Sequence, residues 1–251
     1  MKEINEHQKS LYEKYDIQGS QRYLDRYLPY LEEFSQRETV KILDIGGAGG
    51  NFAYLLKLCF EKSAKVEVYV IDSSRYDSWA QEELGGQIRF IHDSVENMDK
   101  IFPENTFDLV FANRVFHHLV DRTYGRTLAG MEKTMVMIQK ALKPDGMLCV
   151  MDHFYNGLLF DGAASRMIYT LTSVKNSIFA KIIKKLGAMT AGVGVCFQSE
   201  KMWLSRLEKC GFSIKNVERT KCDKLRFIKK IGLMCKNMSR NNLIFATPEN
   251  K

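Results

Sequence analysis

Asp44, Asp72, Asp93, Asn113 and the pair Asp152-His153 each stand at the end of a short apolar run. Carboxylates in such places accept hydrogen bonds from hydroxyls or pair with a cation, and an imidazole moves protons near neutral pH. His117 and His118 follow Asn113 within five positions. Directly after Asp44-Ile45 the chain reads Gly46-Gly47-Ala48-Gly49-Gly50 before an apolar stretch begins at Phe52. Glycine in a turn costs conformational entropy. A turn so stripped of side chains is expected where something lies close against the backbone, and a nucleoside cofactor is the expected occupant.

These residues require elements to hold them. Short apolar runs predict strands at 40–45, 66–71, 88–91, 107–112 and 147–151, and helical spacing predicts helices at 51–61, 75–84 and 122–142. The helix at 75–84 is expected to stop at Gly85-Gly86, and Lys143-Pro144-Asp145-Gly146 reads as a turn before the fifth strand. Strands alternating with helices predict an α/β fold, a doubly wound parallel sheet. In such sheets ligands bind at the carboxyl ends of the strands, where all the polar residues named above converge.

The flanks read differently. Residues 6–35 are helical in pattern, with Gly19-Ser20 expected to divide two helices and Ser20 to cap the second. A helix over 199–210 stops at Gly211, and two strands, 212–218 and 242–247, suggest an antiparallel edge, with a short helix at 228–234 between them. Residues 152–198 fit no strand–helix unit. They read as a helical insertion rich in Phe, Tyr, Leu and Ile, with Lys181, Lys184 and Lys185 among the apolar positions. The expectation is one domain over 1–251. It comprises an N-terminal helical lid (1–37), a cofactor-binding core (38–151), a substrate-covering insertion (152–198), and a C-terminal helix with antiparallel strands (199–251).

The glycine turn alone serves several cofactors, and three features discriminate among them. The dinucleotide pattern Gly-x-Gly-x-x-Gly fails in both registers, because positions 48, 51 and 52 are Ala, Asn and Phe. Asp44 is not needed to cradle a pyrophosphate and suits a cationic ligand. The lysine of a phosphate-binding loop is absent. With Ile42-Leu-Asp-Ile-Gly-Gly-Ala-Gly-Gly50, Asp72, Asp93, the block Phe107 to Leu119 and Leu142-Lys-Pro-Asp-Gly-Met-Leu148, the chain resembles the class I S-adenosylmethionine-dependent methyltransferases over about residues 38–247.

That resemblance implies a Rossmann-like seven-stranded sheet of order 3-2-1-4-5-7-6 with the last strand antiparallel, and S-adenosylmethionine as cofactor, released as S-adenosylhomocysteine. It implies that Gly46, Gly47, Ala48 and Gly50 let the backbone approach the amino-acid end of the cofactor, near Asp44. Ala48 replaces the family's middle glycine and is small enough to be tolerated. Asp72, with Ser73 beside it, would accept the ribose hydroxyls. Asp93 would bind the adenine amino group, Ser94 and Val95 would line the ring, and Asn113 would flank the methionine part. Asp108 reads instead as a surface acid at a strand edge.

Methyl transfer from a sulfonium is an in-line displacement in which the protein mainly positions the acceptor. For a hydroxyl or an activated carbon a general base helps, and His153 and His118 are the expected candidates, followed by Asp152 and Tyr155. Of the adjacent His117 and His118, one is expected to pack and the other to face the ligand. The apolar insertion favours a small or medium, partly apolar acceptor, free or carrier-bound, at oxygen or carbon, with Phe197 and Trp203 as candidate contributors to its pocket.

Bulk properties bound the rest. A chain of 251 residues with 45% hydrophobic content buries about three quarters of its unfolded surface and needs no staples. No apolar run is long enough to span a membrane, and the polar N-terminus argues against a secretory signal, so a cytoplasmic protein with six reduced cysteines is expected. Neither the cysteines nor the histidines show metal-ligand spacing. The net charge of +7 concentrates at residues 215–240, which hold nine Lys/Arg and two acids. This is either a solvated face or the contact for an acidic partner such as a carrier protein, a membrane surface or RNA. An RNA methyltransferase is the less expected of these, because no RNA-binding module or aromatic platform is visible. A lipid acceptor met through the basic stretch 175–186 and a non-catalytic nucleoside-binding subunit are also compatible with these features. So is either a monomer or a homodimer.

Overall fold

The computed structural model describes residues 17–80, 88–174, 192–223, 225 and 227–249. Seven strands form one sheet: β1 (Thr39–Ile45), β2 (Lys65–Asp72), β3 (Ile88–His92), β4 (Phe107–Asn113), β5 (Leu142–Gly157), β6 (Phe212–Glu218) and β7 (Cys235–Pro248). Their order is β3-β2-β1-β4-β5-β7-β6, the expected Rossmann-like arrangement. β1 pairs in parallel with β2 and β4, β2 pairs in parallel with β3, and β6 runs antiparallel to β7. The helices are α1 (Ile17–Tyr27), α2 (Asn51–Phe60), α3 (Met98–Ile101), α4 (Tyr124–Ala141), α5 (Gly162–Ser173), α6 (Glu200–Lys209) and α7 (Phe227–Gly232).

The chain divides into two compact units, residues 1–113 with 137–149 and 250–251, and residues 114–136 with 150–249. In the first, β1 and β4 are near-continuous apolar runs whose side chains are buried, as expected for parallel strands covered on both faces. Tyr27, Phe52 and Phe111 meet edge-on or tilted, with centroids 5.2–5.8 Å apart, and tie α1 and α2 to β4. In the second, Trp203 is fully buried against the edge of Phe116, at 5.2 Å, so it serves the core.

Several local expectations are corrected. Gly19-Ser20 does not divide two helices; both lie inside α1, and short 3₁₀ turns follow at Leu28–Tyr30 and Glu32–Gln36. Lys143 to Gly146 is strand rather than turn, since β5 begins at Leu142 directly after α4. β7 starts at Cys235, seven residues early; its basic first half carries the buried Cys235, Met238 and Ser239. Between β5 and α6 one helix, α5, is described, and Phe154 forms a parallel bridge with Gln198. The expected helical features at 6–16, 81–86 and 175–186, with Lys181, Lys184 and Lys185, lie outside the described residues.

Asp108 is the largest departure. It is buried in β4, not at the surface. Arg37 lies 2.6 Å from one oxygen, Lys143 lies 2.9 Å from both, and the backbone N–H of Lys41 donates to the other at 2.8 Å. One carboxylate thus joins the segment before β1, β1 itself, β4 and β5 within the first unit. An acid inside an apolar run shows its partners only once distant segments are brought together, so the sequence carries no signal for this role.

Candidate functional site

In the first unit the turn after β1 has an unusual backbone. The Gly46 N–H donates to Ile71 at 2.8 Å, the Gly50 N–H closes the turn onto Gly47 at 2.9 Å, and Gly50 caps α2 with a left-handed φ of 87°. A Cβ at Gly50 would also sit 2.6 Å from the Phe90 ring. Ala48 adopts a left-handed φ of 48°, a conformation a side chain disfavours and that glycine reaches freely. The expectation that Ala48 is tolerated therefore has a backbone cost attached.

Beneath the turn lies Asp44. It is buried, and neither carboxylate oxygen has a hydrogen-bond partner among the described residues. A Cβ at Gly47 would stand 2.5 Å from Asp44 Oδ2, so the glycine lets the backbone pass over this carboxylate. Burial, aided by the nearby Asp72 carboxylate, pushes the Asp44 carboxyl up to about 8. A buried acid without a partner is costly, and a cationic or N–H-bearing ligand group is what would relieve it.

Asp72, at the end of β2, is also buried and is bound locally. Its Oδ1 accepts from Ser74 N–H at 2.9 Å and its Oδ2 from Ala48 N–H at 3.2 Å. Burial raises its carboxyl, with those backbone donors working in the opposite direction. Each oxygen retains a second lone pair for a ligand hydroxyl. Asp93 is engaged with its own turn: Oδ1 accepts from Ser94 N–H at 2.6 Å and from Asn97 Nδ2 at 2.8 Å, and the Asn97 contact, then Ser94, hold it below the usual carboxylate range. Ser94 caps a 3₁₀ turn over Val95–Asn97, and Val95 is buried. The Ser73 carbonyl lies 3.1 Å from His92 Nε2. Asn113 Oδ1 accepts from the Tyr27 hydroxyl at 2.6 Å, which leaves its NH₂ to turn elsewhere.

Three groups of this unit carry no signal in the sequence. Tyr27 orients Asn113. Trp79 Nε1 donates to the Ala48 carbonyl at 2.7 Å while its ring stacks on Phe90 at 4.8 Å. Ser78 donates to the Gly49 carbonyl at 3.1 Å. A short 3₁₀ turn, Asp77–Ala80, therefore grips the glycine turn by two carbonyls. These last contacts link residues about thirty positions apart and leave no local pattern to read.

The second unit gathers the histidines. His117 Nδ1 lies 2.8 Å from Asp152 Oδ1, and both side chains are buried. The same oxygen accepts the His153 N–H at 2.7 Å. Burial alone would raise the Asp152 carboxyl; the His117 imidazole with its hydrogen bond, then the His153 imidazole and the His153 backbone N–H, outweigh it and hold Asp152 low, as a carboxylate. In a neutral imidazole, a carboxylate at Nδ1 selects the tautomer that carries its proton there and leaves a lone pair on Nε2. His118 is neutral: burial, then the neighbouring His117, lowers it to about 3. His153 is lowered to about 4, chiefly by burial, and its Nδ1 accepts the Asn241 N–H at 3.0 Å. Its remaining proton then sits on Nε2, where it can donate. Tyr155 stays protonated, since burial pushes its hydroxyl up to about 12.

Phe197 joins these rings into one stack, 4.4 Å from His117, 5.6 Å from His153 and 4.8 Å from Tyr155, and His118 lies 4.2 Å from His117. All four expected catalytic residues thus fall in this cluster, together with His117, which the sequence leaves open between packing and facing the ligand. Its partner lies 35 positions away, and only the Asp152 contact tells the two adjacent histidines apart.

Comparison with known proteins points one way. A family described as a methyltransferase domain matches residues 12–217. Over 124 residues the chain is 28% identical to a phosphoethanolamine N-methyltransferase of Plasmodium falciparum, a match covering 49% of this chain and 42% of that enzyme. The chain thus spans less than half of that relative. An S-adenosylmethionine-dependent methyltransferase from Methanosarcina mazei superposes with a TM-score of 0.54 at 16% identity, covering 88% of this chain and 98% of the other. A Burkholderia thailandensis 1,6-didemethyltoxoflavin-N1-methyltransferase, solved with S-adenosylhomocysteine, gives 0.51 at 15% identity, covering 100% and 93%. At these identities the likeness of the two structures is one of fold.

Proposed function

The chain belongs to the methyltransferase-domain family, and on that premise we propose that it transfers a methyl group from S-adenosylmethionine to a small or medium-sized, partly apolar acceptor at oxygen or carbon. The cofactor supplies an already activated methyl group; what remains is to bind, orient and deprotonate. Asp44, buried without a partner under Gly47, suits the cofactor's cationic amino-acid end. Asp72 is fixed by Ser74 and Ala48 with lone pairs to spare for ribose hydroxyls. Asp93, Ser94 and Val95 form a turn suited to the adenine, and the Asn113 amide, held by Tyr27, suits the methionine part.

The observation that carries the acceptor side is the buried His117–Asp152 pair inside a stack of aromatic rings. Nε2 of His117 takes the acceptor's proton, Asp152 positions it and stabilises the imidazolium, and His153 donates from Nε2 to acceptor oxygen. His118, kept neutral, and Tyr155, kept protonated, line the same place without competing for the proton. The Phe197 and Tyr155 faces favour a flat, partly apolar molecule.

A panel of phenols, amines and carrier-bound acyl groups offered with labelled donor tests this. Methylation of phenolic or enolic acceptors is expected. Asp152→Asn should lower kcat about a hundredfold or more while leaving S-adenosylhomocysteine affinity unchanged. Transfer to amines alone, at an undiminished rate in Asp152→Asn, would establish the second reading, N-methylation of a small amine. The stretch shared with phosphoethanolamine N-methyltransferase favours that reading, and an amine needs no buried base.

A further inference from the structure

Five large apolar side chains stand in solvent in one part of the second unit. Leu158, Leu159 and Phe160, in the turn after β5, are 46%, 75% and 59% exposed, and Phe227 and Ile231 on α7 are 75% and 54% exposed. Phe227 and Ile231 are one helical turn apart and share a face. The turn and the helix are joined by hydrogen bonds, Leu158 N–H to the Met234 carbonyl at 2.8 Å and Met234 N–H to the Ile231 carbonyl at 3.0 Å. Leu225 and Leu233 point the other way, packing on Ala164, Cys235 and Met238. This segment therefore commits one apolar face to the fold and leaves a second uncovered. Scattered single exposed residues need no explanation, but a cluster of this kind marks a contact.

The flanking charge is positive on balance. Lys221, before α7 in the chain, and Lys236 and Arg240, after it in β7, are exposed. The acids beside them are engaged, Asp223 with Arg240 at 2.8 Å and Asp161 with Lys201 at 3.4 Å. Apolar tips ringed by cations disfavour a second copy as occupant, since a self-complementary contact would set the two cationic rims against each other. They suit a surface that offers hydrocarbon beneath a layer of negative charge. We infer that the Leu158–Phe160 turn and α7 dock this protein onto the surface of an anionic lipid bilayer, the apolar side chains entering between headgroups and Lys221 and Lys236 meeting phosphates and carboxylates. No described helix is long and apolar enough to cross a membrane, so the contact is peripheral and reversible.

Pelleting the full chain with vesicles tests this independently of any methylation assay. Binding is expected with phosphatidylcholine containing about 30 mol % phosphatidylserine, not with phosphatidylcholine alone, and it should weaken as salt rises. Leu159→Ser with Phe227→Ser should lower the partition about tenfold. Lys221→Glu with Lys236→Glu, which leaves the apolar tips intact, should lower it similarly and decides the matter if the first variant fails to fold. Equal binding to both vesicle types, or binding to neither, overturns the inference. So does a dimer in sedimentation that either variant dissolves, because the patch would then join two copies.

Discussion

At the residue scale Asp44 has the most to reveal. Its carboxyl sits near 8 because it is buried beside Asp72, so below that pH the ligand-free protein holds it protonated. Pairing with a cationic ligand requires it ionised, and binding must then release a proton. S-adenosylhomocysteine affinity should therefore rise with pH, by up to about tenfold per unit, and level off near pH 8. Calorimetry in buffers of different ionisation heat measures the released proton directly. Asp44→Asn should lose both the slope and the proton, and a flat profile in the unsubstituted protein would remove Asp44 from the cofactor site. Much at this scale was legible in the sequence, since a carboxylate closing a strand announces itself. What was hidden was pairing. Asp152 and His117, Tyr27 and Asn113, Trp79 and Ala48 are each contacts between distant segments, and no spacing rule encodes them.

At the scale of elements the strands follow their apolar runs closely, because a parallel strand buried on both faces can be little else. Errors gather where that pressure is weak. β7 opens with a charged half, and β5 takes in Lys143 to Gly146 despite their turn chemistry. Part of the reason for the second is Asp108, which pairs with Lys143 as well as Arg37. Asp108→Ala leaves the Lys41 N–H and Lys143 without this acceptor while Arg37 keeps Asp145 at 2.8 Å, so it should cost about 1–3 kcal/mol in urea unfolding. Asp108→Asn, which keeps a hydrogen-bond acceptor for the Lys41 N–H, should cost less. Equal and small losses in both would show that the ion pairs contribute little to stability.

At the scale of the whole molecule raised carboxyls and lowered histidines combine into one pH profile. His118 and His153 titrate at about 3 and about 4 in the folded chain, below their ordinary 6.5. The unfolded chain binds those two protons first, so that stability is present above about pH 6.5 and is lost as pH falls. Asp44 acts with opposite sign: its folded value near 8 lies above the ordinary 3.8, so its contribution is present below about pH 4 and is lost as pH rises towards 8. The two histidines offset the raised carboxyls of Asp44 and Asp72 on the acid side, and those carboxyls act unopposed on the other. The ligand-free protein should therefore melt highest near about pH 6.5. Thermal midpoints across about pH 4 to 9 check this. Saturating S-adenosylhomocysteine, or Asp44→Asn, should lessen the decline above the maximum; a midpoint still climbing at about pH 8 would contradict the assignment of signs.

The grip of Trp79 on the glycine turn has an optical consequence. The protein has two tryptophans. Trp203 lies sealed in the second unit, whereas Trp79 donates its indole N–H to the Ala48 carbonyl and stacks on Phe90. Indole emission responds to the polarity and hydrogen bonding of its surroundings. With Trp203→Phe the remaining fluorophore sits on the backbone that must flex or stiffen as the turn fills, so its colour and lifetime would follow occupancy in real time without a label.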